Sequence, residues 1–220
     1  MNSRRKEILS ELGISPQWRI KSNNIEITEE NQVKDMNWQQ LKHAVMHCTA
    51  CDLCQSRTHT VFGIGDENAD WLYVGEGPGA KEDAIGEPFV GPAGKLLDNM
   101  LIALGLQRGH QVYITNVVKC RPPNNRNPET HETKQCEPYL TRQIELIKPK
   151  IIIALGKVAA HNLLECDETI SNLRGKLHSY SGIPLIVTYH PAYLLRSLQD
   201  KAKTWEDLCL AKTTMQSLSK

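Results

Sequence analysis

The chain has 220 residues and a mass of 24.8 kDa, the length of one domain or of one domain with an appendage. Its hydrophobic fraction of 40% and charged fraction of 23% are ordinary for a globular protein and exclude wholesale disorder. No apolar run approaches the ~20 residues of a membrane span, and no apolar stretch follows the basic N-terminus as it does in a secretory signal. We therefore expect a soluble, cytoplasmic protein with no membrane partner.

The net charge of +1 does not by itself indicate a partner, but the distribution of charge is uneven. The segments 99–128 and 169–199 contain no Asp or Glu. Their cations are Arg108, Lys119, Arg121, Arg126, Arg174, Lys176 and Arg196. If these side chains converge on one face, they form a surface for a polyanion such as DNA; the alternative is a set of scattered, solvated charges.

The order of predicted elements indicates an α/β fold. Residues 1–36 are predicted to be an N-terminal extension, with a short helix around Ile8–Leu12 and a polar linker over 22–32, ahead of a domain at 37–220. Predicted helices cover 37–47, 92–105, 129–147, 158–164 and the tail from 201, and predicted strands cover 71–75, 112–118, 150–156 and 185–189. Apolar strands that alternate with helices are typical of a mainly parallel sheet covered on both faces.

The cysteines raise the question of a metal. There are seven, and without a signal peptide an odd number favours reduced thiols over a disulfide framework. Cys48 and Cys51 form a C-x-x-C pair, Cys120 ends a predicted strand, and Cys136 follows in the next predicted helix. Four such thiolates suit a tetrahedral zinc or an iron–sulfur cluster, with unligated thiols as the alternative. Among the other cysteines, Cys54 is a possible substitute ligand, whereas Cys166 and Cys209 are expected to pack in apolar helices.

A glycine-rich loop, Gly75–Gly79, follows the first predicted strand. Its spacing fits a relaxed dinucleotide fingerprint, but Pro78 and the charged run 81–83 interrupt the helix that such a site needs. The competing interpretation is a loop that closes on a planar ligand at the carboxyl edge of the sheet, with carboxylates that orient a water. No nucleotide cofactor is therefore expected.

Three side chains near this edge suit a planar, polar ligand. Phe89 lies between Pro88 and Gly91, where stacking on a ligand competes with an ordinary core role. Asn116 interrupts an apolar strand, and its amide matches an imide edge such as N3–H and O4 of uracil. His190 ends a later strand, where a ring N–H can stabilise a developing anion.

Together these segments resemble the family 4, iron–sulfur uracil-DNA glycosylases of the uracil-DNA glycosylase superfamily. The resemblance covers about 160 residues from Cys48 onward. The matching motifs are Cys48-Thr-Ala-Cys51, Val74-Gly-Glu-Gly-Pro-Gly79, Glu82-Asp83, Gly86-Glu-Pro-Phe-Val-Gly91, Tyr113-Ile-Thr-Asn-Val-Val-Lys-Cys-Arg-Pro-Pro123, Cys136, Arg174-Gly-Lys176 and His190-Pro-Ala-Tyr-Leu-Leu-Arg196.

The resemblance implies a three-layer α/β/α sandwich around a four-stranded, mainly parallel sheet. It implies a structural [4Fe–4S] cluster held by Cys48, Cys51, Cys120 and Cys136. It further implies that Phe89 stacks on a flipped uracil, that Asn116 binds the polar edge of the base and that His190 faces O2. The implied uracil contacts are Glu76, Gly77, Glu82, Phe89, Asn116 and His190, and the implied DNA contacts are Leu194, which fills the vacated base stack, with Arg196 and Arg121.

The implied reaction is hydrolysis of the N-glycosidic bond of uracil in single- or double-stranded DNA. It leaves an abasic site for base excision repair, and the enzyme is expected to be a monomer associated with the nucleoid. In the best-known branch of the superfamily an Asp orients the water, but Gly77 stands at that position here. The carboxylate that orients the water could therefore be Glu76, Glu82 or Asp83, and Glu82 is favoured. The predicted catalytic residues are Glu82, His190 and Glu76. The alternative function is an inactive DNA-binding relative that keeps the fold and cluster. A member that traps the sugar covalently would have an inserted basic loop, which is absent between Glu82 and Phe89. A zinc-stabilised nucleotide enzyme is the least favoured alternative.

Overall fold

The computed structural model describes residues 33–218, with Glu11 alone before them. The helix predicted around Ile8–Leu12 and the polar linker lie outside the described residues, and the domain boundary after residue 36 stays a prediction. Val33 is buried in a cluster with Leu41, Val45 and Phe62, so the chain is packed against the domain from residue 33 onward. No helix within 33–218 has the length and apolar character needed to cross a membrane.

The main predicted helices and strands are present, with ends shifted by a few residues. The helices are α1 (Trp38–Met46), α2 (Leu53–Ser56), α3 (Ala80–Ile85), α4 (Pro92–Leu104), α5 (Thr130–Ile147), α6 (Lys157–Leu164), α7 (Ile170–Leu173), α8 (Pro191–Leu194) and α9 (Lys201–Leu218). The strands are β1 (Ile64–Gly65), β2 (Trp71–Gly75), β3 (Val112–Asn116), β4 (Ile151–Leu155), β5 (Leu177–Tyr180) and β6 (Ile183–Thr188). Local chemistry sets the helix ends: Asn37 and Gln40 form a capping box at the start of α1, and Gly105 ends α4 in the left-handed conformation.

The sheet has six strands in the order β1-β3-β2-β4-β6-β5. The inner four, β3, β2, β4 and β6, are parallel, as the predicted parallel sheet requires. The predicted total of four strands is wrong, because β1 and β5 add antiparallel edges. β1 has only two residues, and β5 alternates between exposed and half-buried positions, so neither contains the apolar run that marks a strand in sequence.

Helices cover both faces of the sheet, as the three-layer prediction requires. Side chains of successive β2 residues point to opposite faces: Leu72 packs in a core that contains Ile144 of α5, and Tyr73 in a core that contains Leu97 of α4 and Leu208 of α9. Because both faces of the inner strands are buried, the sheet leaves only its strand ends and edges for function.

Candidate functional site

A cleft of about 900 Å³ lies at the carboxyl ends of the four parallel strands. Its lining includes Gly77 after β2, Asn116 at the end of β3, Gly156 after β4 and His190 after β6. Open α/β sheets bind ligands at this edge, because the connections that leave the strands diverge there. Of the six predicted uracil contacts all six line this cleft, namely Glu76, Gly77, Glu82, Phe89, Asn116 and His190.

Asn116, which lines the cleft, has a buried side-chain acceptor without a partner within residues 33–218. The residue is 2% exposed, and its side-chain Oδ1 has no hydrogen-bond partner among the described residues. A Cβ on Gly75 would lie 2.4 Å from this Oδ1 and 2.7 Å from Cζ of Phe89, so only glycine there lets both side chains approach. A buried acceptor without a partner is costly, and a ligand N–H that enters the cleft removes that cost.

Phe89 and His190 lie side by side in the cleft. Their ring centroids are 5.5 Å apart at an interplanar angle of 29°. The backbone N–H of Ala192 donates to Nδ1 of His190 at 3.1 Å, so the neutral ring carries its proton on Nε2. Burial is the main cause that lowers the pKa of His190 to about 4. The nearby Glu82 raises the pKa by a smaller amount, and Arg196 lowers it further. At neutral pH the ring is therefore an uncharged N–H donor.

The three candidate carboxylates have different environments. Glu76 is half-buried in the cleft lining, and burial raises its pKa. Glu82 also lines the cleft, but its Oε1 accepts hydrogen bonds from two backbone N–H groups, those of Val90 and Gly91, each at 3.0 Å. Asp83 is 4% exposed; its Oδ1 accepts from the backbone N–H of Thr58 at 2.9 Å, and the residue is absent from the cleft lining. Asp83 is thus separated from the cleft. Of the three carboxylates, that of Glu76 is the one without a hydrogen bond to the backbone of the described residues.

The seven cations of the two acid-free segments do not all lie on one face, so the predicted surface for a polyanion is not formed by all of them. Arg126 and Arg196 line the cleft, together with Lys81 and Lys157. Arg121 is not in the lining, but it donates to Oδ1 of Asn125, a lining residue, at 2.7 Å. Three others serve the interior of the fold through hydrogen bonds, namely Arg108, Lys119 and Arg174. The cleft rim is positive, but with a different set of side chains from the predicted one.

Leu194 does not reach the surface as the resemblance implies. It is 1% exposed and belongs to the core between the sheet and α4, so it cannot enter a base stack without unpacking that core. α8 places its last residue inward, whereas the next residue, Leu195, is 43% exposed; the intercalating role of Leu194 stays a prediction. Leu195 directly precedes Arg196, which lines the cleft, but is not itself in the lining.

Five cysteines line a second, small pocket, which also contains residues 118–120 of the segment that follows β3. They are Cys48, Cys51, Cys54, Cys120 and Cys136. Apolar side chains surround them, Arg57 donates from Nη1 to Sγ of Cys120 at 3.1 Å, and the backbone N–H of Lys119 donates to Sγ of Cys136 at 3.3 Å. Within residues 33–218, no group of three or more His, Cys, Asp or Glu is arranged to hold a single metal ion. Cys209 is exposed, so its predicted packing role is wrong.

Lys119 joins the cysteine pocket to the cleft. It is 1% exposed, and Nζ donates to Oγ1 of Thr115, the carbonyl oxygen of Asn116 and Oε1 of Gln143 at 2.6–2.7 Å. Burial lowers its pKa to about 8. The side chain therefore fixes the end of β3 from which the Asn116 amide projects.

Sequence reasoning missed the roles of Arg108, Arg126, Lys157 and Lys119. Arg126 belongs to an acid-free segment, which was the only available signal for a cleft position; it also makes a bidentate ion pair with the buried Glu132. Lys157 follows Gly156 directly after β4, a position that a parallel sheet brings to the carboxyl edge. No local pattern distinguishes an arginine or lysine that binds main-chain carbonyls from one on the surface.

Comparison with known proteins agrees with this geometry. Residues 62–209 match the model of the uracil DNA glycosylase superfamily. The chain is 48% identical to a type-4 uracil-DNA glycosylase of Archaeoglobus fulgidus over 69% of this chain and 79% of the relative. It is 43% identical to a type-4 uracil-DNA glycosylase of Pyrobaculum aerophilum over 80% and 93% of the two chains. A type-5 uracil-DNA glycosylase of the same organism is 32% identical over 59% and 64%.

The superfamily model spans the cleft residues from Glu76 to His190. The identity to the type-4 proteins is higher than that to the type-5 protein. The chain belongs to the type-4 uracil-DNA glycosylases of the uracil-DNA glycosylase superfamily.

Proposed function

We propose that the protein removes uracil from DNA by hydrolysing its N-glycosidic bond, which leaves an abasic site for base excision repair. The observation that carries the proposal is the buried, unpartnered Oδ1 of Asn116, which lies in a cleft that also contains Phe89 and the neutral His190. Uracil offers an N3–H to that oxygen, whereas cytosine has an acceptor at the same ring position. The amide therefore favours uracil over the base from which deamination produces it.

The reaction begins with extrusion of the nucleotide, because the bond is inaccessible inside a duplex. The flipped base stacks on Phe89, and its polar edge meets the Asn116 amide. Nε2–H of His190 donates to O2, where negative charge develops as the bond to the sugar breaks. Since the ring is already neutral, it supplies a hydrogen bond to the anion without first losing a proton.

Water must attack the sugar as it gains oxocarbenium character. We assign its orientation to Glu76, whose side chain lines the cleft and, unlike that of Glu82, accepts no hydrogen bond from the backbone of the described residues. A raised pKa suits a carboxylate that accepts a proton from water. This assignment replaces the preference for Glu82 that the sequence suggested.

We further propose that Cys48, Cys51, Cys120 and Cys136 hold a [4Fe–4S] cluster. Each iron of a cluster takes one cysteine, so the ligands stand farther apart than around one zinc ion, and the lack of a single-ion arrangement within 33–218 fits this better than zinc. The apolar wall and the hydrogen bonds to Sγ of Cys120 and Cys136 suit bound thiolates. The cluster supplies iron–sulfur bonds that join three separate segments of the chain.

DNA would lie over the positive cleft mouth, with phosphates near Arg126, Lys157 and Arg196. Leu195 takes the place that the resemblance gave to Leu194, because it is the exposed leucine of this turn. The monomeric state, the nucleoid location and the use of both single- and double-stranded DNA stay predictions.

The test is incubation of the iron-replete protein with a labelled oligonucleotide that carries one uracil, in EDTA, followed by hot alkali. We expect a break at uracil and none at thymine. Asn116→Ala should lose most of the activity while its visible cluster absorbance is unchanged, since the side chain contacts the base and not the cysteines.

No cleavage by wild-type protein would overturn the proposal, and binding of the oligonucleotide without cleavage would favour the inactive DNA-binding relative. Loss of both activity and absorbance in Asn116→Ala would mean that Asn116 is required for folding.

A further inference from the structure

We propose that Arg108 is a positioning residue, which together with Glu82 holds Phe89 in the backbone conformation that presents its ring to the base. The inference deepens the proposed function and rests on it, since it concerns the residue that would stack on uracil. Arg108 lies in the connection between α4 and β3 and is not part of the cleft lining. It therefore acts on the cleft only through the loop that it contacts.

The Phe89 backbone needs such support. Its φ is +56°, in the left-handed region that residues with a Cβ disfavour. Strained residues of this kind persist where surrounding contacts over-determine them, and they concentrate at binding sites. A phenylalanine that relaxed to an ordinary φ would turn its ring away from its present place beside His190.

Arg108 fixes the loop from the carbonyl side. Nη1 donates to the carbonyl oxygen of Pro88 at 2.9 Å, and Nη2 donates to the carbonyl oxygen of Phe89 at 3.0 Å. Nε donates to Oδ1 of Asp98 on α4 at 2.9 Å, which orients the guanidinium. The rigid planar fork of arginine makes these three bonds at once, whereas the single ammonium of lysine has no fixed fork.

Glu82 fixes the same loop from the amide side. Its Oε1 accepts from the backbone N–H groups of Val90 and Gly91 at 3.0 Å. Together with the two carbonyls bound by Arg108, four consecutive residues, 88–91, have a main-chain group held by a charged side chain. Two long-range side chains thus determine the conformation on both sides of Phe89.

Gly94 completes the arrangement by leaving space for the loop. A Cβ at this position would lie 1.7 Å from the carbonyl oxygen of Phe89, the same oxygen that Arg108 binds. The loop therefore packs directly on the first turn of α4, at a place where no side chain fits. This close approach means that the Phe89 carbonyl has one position, and Arg108 supplies its hydrogen bond there.

The experiment is a double-mutant cycle of Arg108→Met and Phe89→Ala, measured as the single-turnover rate of uracil release and as inhibition by free uracil. Arg108→Met alone should slow release by roughly 10- to 100-fold, the effect of misplacing a binding group by about 1 Å, and should weaken inhibition by uracil. In the Phe89→Ala background the same change should cost less than about twofold, because its target is gone.

Arg142→Met is the matched control. Arg142 is as buried as Arg108, with side-chain exposures of 20% and 22%, and it also donates to a main-chain carbonyl, that of Met36, at 2.7 Å. Its loss should leave both readouts unchanged. Arg108→Lys, which keeps the charge, should fall between wild type and Arg108→Met and serves if the methionine variant does not fold.

The positioning role is overturned if Arg108→Met equals wild type, if its full effect persists in the Phe89→Ala background, or if Arg142→Met causes the same loss. Wild-type protein that fails to release uracil would overturn the proposed function itself. If the wild-type protein is active but the effects of Arg108→Met and Phe89→Ala on the rate simply multiply in the double variant, only the role of Arg108 would be overturned.

Discussion

The two walls of the cleft are built in different ways. The Phe89 wall, residues 82–94, is held by charged side chains that bind its main chain: Glu82 binds two amides and Arg108 binds two carbonyls. The His190 wall, residues 190–196, is held by short-range bonds, such as Ala192 N–H to Nδ1 of His190 and Tyr193 O–H to Oδ2 of Asp200, and it ends in the exposed Leu195 and Arg196. In the proposed function, the first wall would fix the ring that stacks on the base, and the second would present side chains to the DNA.

Two side chains of the same type can have different roles in this cleft. Glu82 and Glu76 both line it, yet only the carboxylate of Glu82 binds its own wall. On the opposite wall, two adjacent leucines differ just as sharply, because Leu194 is 1% exposed and Leu195 is 43% exposed. The following variants test each wall by changing one member of such a pair.

The largest effect is expected from Glu76→Gln. An amide cannot take a proton from water, so the cleavage rate should fall by roughly 10²- to 10⁴-fold. Glu82→Gln should stay within about fivefold of wild type, because the amide oxygen still accepts from Val90 and Gly91. Single-turnover rates measured across a range of pH check both expectations.

The pH dependence of the cleavage rate also tests the role of Glu76. Burial raises the pKa of Glu76, so the wild-type rate should fall as pH drops through that raised value, where the carboxylate becomes protonated. The residual activity of Glu76→Gln should lack this acidic limb. If Glu82→Gln loses the limb instead, Glu82 orients the water and the roles of the two carboxylates are exchanged.

A smaller but still large effect is expected at His190. His190→Ala removes one donor to the developing anion and should reduce the single-turnover rate by about 10²- to 10³-fold. Since the pKa of His190 is about 4, its ring should show the neutral Nε2–H form by NMR at about pH 6, where an ordinary histidine is mostly charged. A charged ring at that pH would contradict the neutral-donor role.

The same shift makes a prediction for stability. In the unfolded chain His190 binds a proton below its ordinary pKa, whereas in the folded protein it does so only near pH 4. The unfolded state therefore binds more protons between these values, and the contribution of His190 to the free energy of unfolding should rise with pH across this window. His190→Ala should flatten that part of the profile in denaturant titrations.

The smallest effect is expected from Leu195→Ala. It should slow uracil release from duplex DNA by about three- to tenfold and leave single-stranded substrate unchanged, because only a duplex has a stack to fill. Leu194→Ala is the control: it opens a cavity of the kind that costs about 2–5 kcal/mol of stability. It should lower the melting temperature, with no preference between substrates. A duplex-specific loss in Leu194→Ala would restore the original assignment.

The sequence was most informative where a feature depends on neighbours along the chain. β2 and α4 follow from apolar spacing bounded by glycines. The positions of Asn116 and His190 follow from motifs at strand ends, and that of Phe89 follows from a loop motif between Pro88 and Gly91. The edge strands β1 and β5 could not be predicted, because one is two residues long and the other has no buried run. Their pairing is decided by tertiary contact with β3 and β6.

The site was less predictable where a side chain serves a distant main chain. Arg108 bonds to a residue about 20 positions away and Lys119 to Gln143, so neither partner can be inferred from local pattern. The sequence predicts both residues to be surface cations, either on a DNA-binding face or scattered in solvent. Leu194 and Leu195 show the same limit at short range, because matching a motif by position does not indicate which of two adjacent leucines faces the core.

The strand order also has a consequence for how the protein is made. The cleft takes residues from the ends of β2, β3, β4 and β6, which are spread from Gly75 to His190, and β6 reaches its place only by pairing with β4. Parallel pairings between distant segments form late, since a long loop must close before any contact rewards it. A nascent chain that has not yet released β6 from the ribosome has no His190 wall, so the cleft cannot be complete before β6 has emerged and paired with β4.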